Sequence, residues 1–206
     1  MPAKNSVKQF IENGHYHVYN RGVEKREIFM DSQDYSVFLN YLREYLDPTG
    51  SDPHPLSTQL NLLAFCLMPN HFHLLIKQSS TDGVTKLLRA VSTRYVMYFN
   101  KKYDRVGSLF QGKYKAILVQ EDPYLLHLSR YIHLNPHPGS DPKLYKYSSY
   151  GNYLERTYAQ WLNTKEILGY FKTTSELSLK DYFSYESFVE DFKIDSELVL
   201  GNLTLE

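Results

Sequence analysis

The sequence predicts an α+β fold of the ferredoxin-like split βαβ type: a four-stranded antiparallel sheet with helices on one face, plus a small helical C-terminal extension. Three observations carry this. Strand-like and amphipathic stretches follow one another in the order β-α-β-β-α-β-α, whose first six elements match the split βαβ unit. The two central apolar runs, 60–67 and 72–76, are separated only by Met68-Pro69-Asn70, which suits an antiparallel hairpin with a proline turn. A length of 206 residues is enough for one good core with chain left over.

Each element has a local cause. His15-Tyr-His-Val-Tyr-Asn20 alternates and is rich in β-formers, so it is the first strand, and Asn20-Arg21-Gly22 breaks it. Asp31 or Ser32 caps a helix to about residue 46, with Tyr35, Phe38, Leu39 and Leu42 at helical spacing. The Pro- and Asp-rich stretch 47–55 is a loop, and the hairpin follows it. A long amphipathic helix is predicted over 84–103, its basic residues largely off the apolar stripe. A glycine-containing loop covers 104–112, and 114–119 reads as the fourth strand. Asp122-Pro123 supplies a cap and a first-turn proline for a helix that Asn135-Pro136 stops. From about Lys143 the character changes. Tyr145, Tyr147, Tyr150 and Tyr153 crowd together, and acidic, helical-looking segments run to the end. Residues 1–150 are therefore expected to form the principal domain. Residues 151–206 are expected to form a helical acidic extension, with Trp161 and the tyrosine cluster in its core.

Composition narrows the function classes. No apolar run approaches the ~20 residues of a membrane span, and the first ten residues lack the apolar segment of a secretory signal. Cys66 is the only cysteine and lies in an apolar stretch, so it is expected to be a buried, inert thiol. A cytoplasmic protein with no membrane partner is the expectation. The net charge of zero hides an asymmetry: residues 1–120 carry 15 Lys/Arg against 10 Asp/Glu, and residues 121–206 carry 8 against 13. Within 77–115 there are nine basic side chains and two acidic ones, a footprint that a polyanion can read, although a solvated helix face gives the same run.

Two segments carry chemistry. In Met68-Pro-Asn-His71-Phe72-His73-Leu-Leu-Ile76, strand alternation puts His71 and His73 on one face, about 6.5–7 Å apart at the backbone. Phe72, Leu74 and Ile76 point the other way, toward the helices. Two imidazoles opposite the core can converge on one metal ion. In the helix after Asp122, Leu125, Leu128 and Ile132 are spaced to pack down. His127, Tyr131 and Asn135 recur every four residues as a separate stripe. Tyr131 and Asn135 are thus one turn apart, and the Asn135 carbonyl oxygen can serve as a third ligand. A His-His-Asn set with open positions suits Mg²⁺ or Mn²⁺ acting on a phosphodiester. A nearby cation would also help Tyr131, whose phenol titrates near ~10 and is otherwise a weak nucleophile.

At these residues the sequence resembles the single-tyrosine HUH transposases (IS200-like), and within them the REP-associated tyrosine transposases of bacteria. The likeness spans about residues 10–150, in order. It includes His15-Tyr-His-Val-Tyr-Asn-Arg-Gly22, the Met-Pro-Asn-His-Phe-His block, Gly107-Ser-Leu-Phe-Gln-Gly-Lys-Tyr-Lys-Ala116, and Tyr124-Leu-Leu-His-Leu-Ser-Arg-Tyr-Ile-His-Leu-Asn-Pro136. The resemblance implies a transposase that nicks and rejoins single-stranded DNA beside a folded hairpin, through a covalent 5′-phosphotyrosine and a free 3′-OH. His71, His73 and Asn135 would bind the metal, and Tyr131 would be the nucleophile. Asn135 stands where the insertion-sequence members carry Gln, one methylene longer. Those members act as dimers with the tyrosine helix in trans, so a homodimer is one option and action within one chain is the other.

Arg21, Arg89, Arg94, Arg105, Gln111, Lys113 and Lys115 are candidates for DNA-backbone contacts, and Asn20 or Asn70 for a base edge. His127 is a candidate to orient Tyr131 from a second layer. Two rivals remain beside the transferase. One is a hairpin-binding protein without turnover. The other is a metal-dependent nuclease that uses activated water and leaves no protein–DNA adduct.

Overall fold

A computed structural model describes residues 9–136, 141–172 and 184–191. Strands β1 (His15–Arg21), β2 (Leu60–Met68), β3 (His71–Gln78) and β4 (Lys115–Val119) form one sheet in the order β2-β3-β1-β4, every neighbouring pair antiparallel. Helices α1 (Ser32–Leu46) and α2 (Gly83–Lys102) pack on one face against Phe72, Leu74 and Ile76, as a split βαβ unit requires. The other face is also covered. There α3 (Asp122–Leu134), α4 (Tyr150–Tyr153), α5 (Lys165–Gly169) and α6 (Tyr185–Glu190) form a second apolar cluster with Leu63, Ala64, Cys66 and Leu75. The reason is visible in β2, where residues 62–68 are all buried: a strand covered on both faces reads as a continuous apolar run.

Local choices agree with this layout. Asp31 caps α1 by accepting from the Gln33 and Asp34 amides, and Asp34 reaches back to the Met30 and Asp31 amides, a reciprocal capping box. Asp34 is fully buried, and Lys102, Tyr98 and Tyr103 on or beside α2 satisfy its remaining acceptor capacity, tying the two helices together. At α2 it is Gln78 of β3 whose side-chain oxygen takes the Val84 amide at 3.0 Å; Asp82 makes no capping bond. α3 begins one residue earlier than its proline suggests, with Glu121 at the N-cap and no side-chain cap.

The segment after α3 closes an edge. The Leu67 amide donates to Tyr147 O, the Ser149 amide to Phe65 O and the Asn163 amide to Leu62 O, so β2 is not left open to another chain. Tyr145 and Tyr153 donate their hydroxyls to the Leu67 and Leu63 carbonyls, both at 2.7 Å. Tyr150 and Tyr153 are buried, and Trp161 stacks on Phe65 at 5.6 Å. The acidic stretches 173–183 and 192–206 lie outside the described residues.

Two stability results follow. Gly22 follows β1 in extended backbone, with its amide on Asn70 O, and an added Cβ would stand 2.2 Å from Arg26 O. Gly22→Ala is therefore expected to destabilise by about 1–3 kcal/mol in urea titrations, because backbone rather than a flexible side chain must move.

His133 of α3 is fully buried. Its ring nitrogens lie 2.7 Å from Tyr185 Oη and Ser149 Oγ, and burial pushes its pKa from 6.5 down to about 3. Below about pH 6.5 the unfolded chain takes up a proton that the folded chain refuses. This part of the stability is therefore complete above about 6.5. It is lost as pH falls toward about 3, at up to about 1.4 kcal/mol per pH unit. His133→Phe should make the dependence of unfolding free energy on pH shallower over that range, measured against wild type by denaturant titration.

Candidate active site

Strand parity sets the site. His71 and His73 share the face of Leu75, away from α1 and α2, and their cross-strand neighbours are Met68 and Cys66 on β2 and Arg21 and Tyr19 on β1. α3 runs over this face because Leu125, Leu128 and Ile132 bury against it, and the same helix delivers Tyr131 to His73. The Tyr131 ring stands edge-on to His73 with centroids 5.5 Å apart, and 6.2 Å from His17. His71 and His73 are perpendicular to each other, 4.9 Å apart. Asn135, the C-cap of α3, brings its Oδ1 to 3.3 Å from His71 Nε2, while its Nδ2 donates to Tyr131 O at 3.4 Å. The shorter amide therefore reaches His71. All four side chains come from one chain.

The electrostatics favour neutral imidazoles. His73 is fully buried, and burial, then the neighbouring His17 and His71, push its pKa well below the ordinary range. Burial also lowers that of His71; the Asn135 contact opposes this and the Arg21 guanidinium adds to it. Neutral rings offer lone pairs. His73 Nε2 is buried and has no hydrogen-bond partner among the described residues, an uncommon and costly state for a polar atom. No cluster of three or more His, Cys, Asp or Glu side chains able to hold a metal occurs among the described residues, so a cation here would take the amide oxygen of Asn135 as its third protein ligand. The donor set fits: two imidazoles, one amide oxygen, and an orphaned buried nitrogen that a cation would satisfy.

The other sequence-predicted residues divide. Arg21 is directly across from His71, and Gln111 Oε1 accepts from its Nε at 3.3 Å and its Nη2 at 3.1 Å. Lys115 pairs with Tyr19 on β4, and Lys113 is exposed in the adjoining loop. These cations border the site face. Arg89 and Arg94 belong to α2, on the far side of the sheet; Arg94 is engaged by Glu44 and lies 4.0 Å over the Tyr41 ring. Arg105 bonds Asn100. Part of the basic run is internally neutralised, through Lys77 with Glu166, Lys86 with Asp82, and Lys102 with Asp31 and Asp34.

The two asparagines are committed elsewhere. Asn20 is buried, donating to Gly112 O and accepting from the Arg21 amide. Asn70 bonds Lys25 O and the His71 ring. His127 turns from the site, its Nδ1 accepting from Arg130 at 2.7 Å and its ring 5.8 Å from Phe188.

Sequence reasoning did not single out His17. It is fully buried, with Nε2 2.8 Å from His73 Nδ1 and the rings stacked at 5.0 Å. The signal was the His15-x-His17 spacing in β1, which repeats that of His71-x-His73. Its meaning needed the strand register, which brings β1 and β3 together.

With this geometry in hand, the family is plain: the chain belongs to the IS200-like transposases, whose sequence profile matches residues 10–135. Among solved structures it is similar to a REP-associated tyrosine transposase bound to a REP hairpin (13% identity, 84% of this chain, 93% of that chain, TM-score 0.57). It is also similar to a putative transposase from Deinococcus radiodurans R1 (16% identity, 64% of this chain, 95% of that chain, TM-score 0.39). At these identities the first likeness speaks for the fold. No protein of curated function matches in sequence. No described helix is long and apolar enough to cross a membrane.

Proposed function

We propose that the protein is a tyrosine transposase of the REP-associated kind, which nicks and rejoins single-stranded DNA at hairpin-bearing ends in the cytoplasm. Membership of the IS200-like family supports this, as does the shared fold with a protein solved on a REP hairpin. The observation that carries it is Tyr131 standing edge-on over His73, whose buried Nε2 has no partner among the described residues, with Asn135 against His71 one turn away. His71, His73 and Asn135 would hold Mg²⁺ or Mn²⁺, which when bound polarises the scissile phosphate and offsets its developing charge.

The chain's own groups do the rest. The Tyr131 oxygen attacks phosphorus and loses its proton to solvent. The bond from phosphorus to the 3′ oxygen breaks, and that oxygen takes up a proton to become a free 3′-OH. A 5′-phosphotyrosine remains, and attack of a 3′-OH on it reverses the step on another end. Arg21, steadied by Gln111, and Lys113 and Lys115 at the border of the site face would hold flanking phosphates. Residues 1–150 would form the catalytic unit, and 151–206 a helical, acidic extension of it.

The test is a denaturing gel of purified protein with labelled hairpin DNA carrying a single-stranded flank, in Mn²⁺ or EDTA. A metal-dependent, SDS-resistant adduct is expected. Cleavage without an adduct would replace this reading with a water-using nuclease. Binding with no cleavage would leave a hairpin-binding protein.

A further inference from the structure

Each site histidine is held by a partner at its Nδ1 nitrogen, Asn70 for His71 and His17 for His73. Asn70 Nδ2 donates to the Lys25 carbonyl at 3.2 Å, which fixes the orientation of this amide, and its Oδ1 lies 2.6 Å from His71 Nδ1. An amide oxygen only accepts, so His71 Nδ1 must carry the proton. In the neutral ring Nε2 is then a bare lone pair. It faces Asn135 Oδ1 at 3.3 Å, and that amide is oriented in turn by its Nδ2 on Tyr131 O. Two acceptors confront each other with no proton between them, an arrangement that repels unless a cation joins them.

His73 is held the same way from a different strand. Its Nδ1 is 2.8 Å from His17 Nε2, and its own Nε2 is buried without a partner among the described residues. If Nδ1–H donates a hydrogen bond to His17, the orphan is a lone pair. The opposite tautomer would strand a buried N–H with nothing among the described residues to accept it.

We infer that Asn70 and His17 are positioning residues: each accepts a hydrogen bond from the Nδ1–H of one site histidine, so that His71 and His73 both present Nε2 lone pairs before any cation arrives. The two devices are independent in the chain. Asn70 is the last residue of the hairpin turn, and His17 is in the central strand β1, diagonal to His73 across the pairing of Tyr19 with His73. Such partners set both the tautomer and the ring direction of a metal-binding histidine, and their loss typically weakens binding by about 10–100-fold. This inference rests on the metal reading above, but the tautomers are observable without metal.

The experiment has two readouts on full-length protein. Long-range ¹H–¹⁵N spectra of the metal-free wild type should show His71 and His73 neutral and protonated on Nδ1. Calorimetric Mn²⁺ titration should show a dissociation constant about 10–100-fold weaker in His17→Phe and in Asn70→Leu. His17→Gln, which restores an accepting oxygen, should recover most of the loss at that position. In His17→Phe the His73 tautomer should shift while that of His71 stays, and in Asn70→Leu the reverse. Nε2-protonated histidines in wild type, or unchanged tautomers and Mn²⁺ affinity in both apolar variants, would overturn the assignment. If wild type binds no Mn²⁺, the metal reading fails, and the spectra still decide the positioning role. A drop in melting temperature with no tautomer change would mark a structural role only. Asn70 is half-buried in a turn, so its variant serves if those at the buried His17 do not fold.

Discussion

Tyr131→Phe is expected to abolish the covalent protein–DNA adduct and to lower strand cleavage by roughly 10⁴-fold or more, the scale on which loss of a nucleophile acts. The variant removes one oxygen and keeps the ring. Its edge-on contacts with His73 and His17 and its place in the second apolar cluster are therefore retained. Hairpin binding and the thermal midpoint should stay close to wild type, which separates chemistry from folding. A mixing experiment adds a second check. Tyr131 meets His73 and Asn135 meets His71 within one chain, because α3 lies on that chain's own sheet. Mixing Tyr131→Phe with His71→Ala protein should therefore restore no cleavage. Restored cleavage would mean that α3 is exchanged between two chains, as in a homodimer working in trans. Adduct formation by Tyr131→Phe itself would remove Tyr131 from the nucleophile's role.

Much of this site was legible because its parts are local. The His71-x-His73 spacing needs only the period of a strand, and the spacing from Tyr131 to Asn135 only that of a helix. The element order likewise delivers the β2-β3-β1-β4 sheet through short connections and a hairpin. What could not be read is non-local. Asn20 and Asn70 look like base-reading side chains, since an asparagine at a turn gives no sign of whether another loop will occupy it. Only the fold brings Gly112 O to Asn20 and Lys25 O to Asn70. Arg89 and Arg94 belong to a basic run, but the helical face that buries Leu88, Val91 and Tyr95 carries them to the side of the sheet opposite the histidines. The second helical layer was announced by the unbroken apolar stretch of β2, where a strand covered on one face would alternate. His127, Tyr131 and Asn135 share a stripe at four-residue spacing, yet they do not share a role. The stripe drifts around α3, so His127 meets Arg130 and Phe188 while Tyr131 meets His73.

His71→Ala is expected to weaken Mn²⁺ binding by more than about 100-fold, beyond the range for outer partners, because it removes a direct ligand. Cleavage at limiting metal should fall in step. His71 is the better probe of the pair. It is only partly buried at the start of β3, whereas His73 is fully buried between Cys66 and Tyr19, so its loss would also open a cavity. Asn135 tests the third position with the opposite sign. Asn135→Leu should lose affinity. Asn135→Asp should keep or raise it, since a carboxylate is a harder and anionic oxygen ligand of the same length. That gain should be larger for Mg²⁺ than for softer divalent ions, because oxygen ligands suit hard cations and imidazoles do not discriminate in their favour. Unchanged Mn²⁺ affinity in His71→Ala would take the cation away from this face. Loss of cleavage with affinity retained would instead assign His71 to the phosphate, beside Arg21 across the strand. The two results are separable because binding is measured without DNA and cleavage with it.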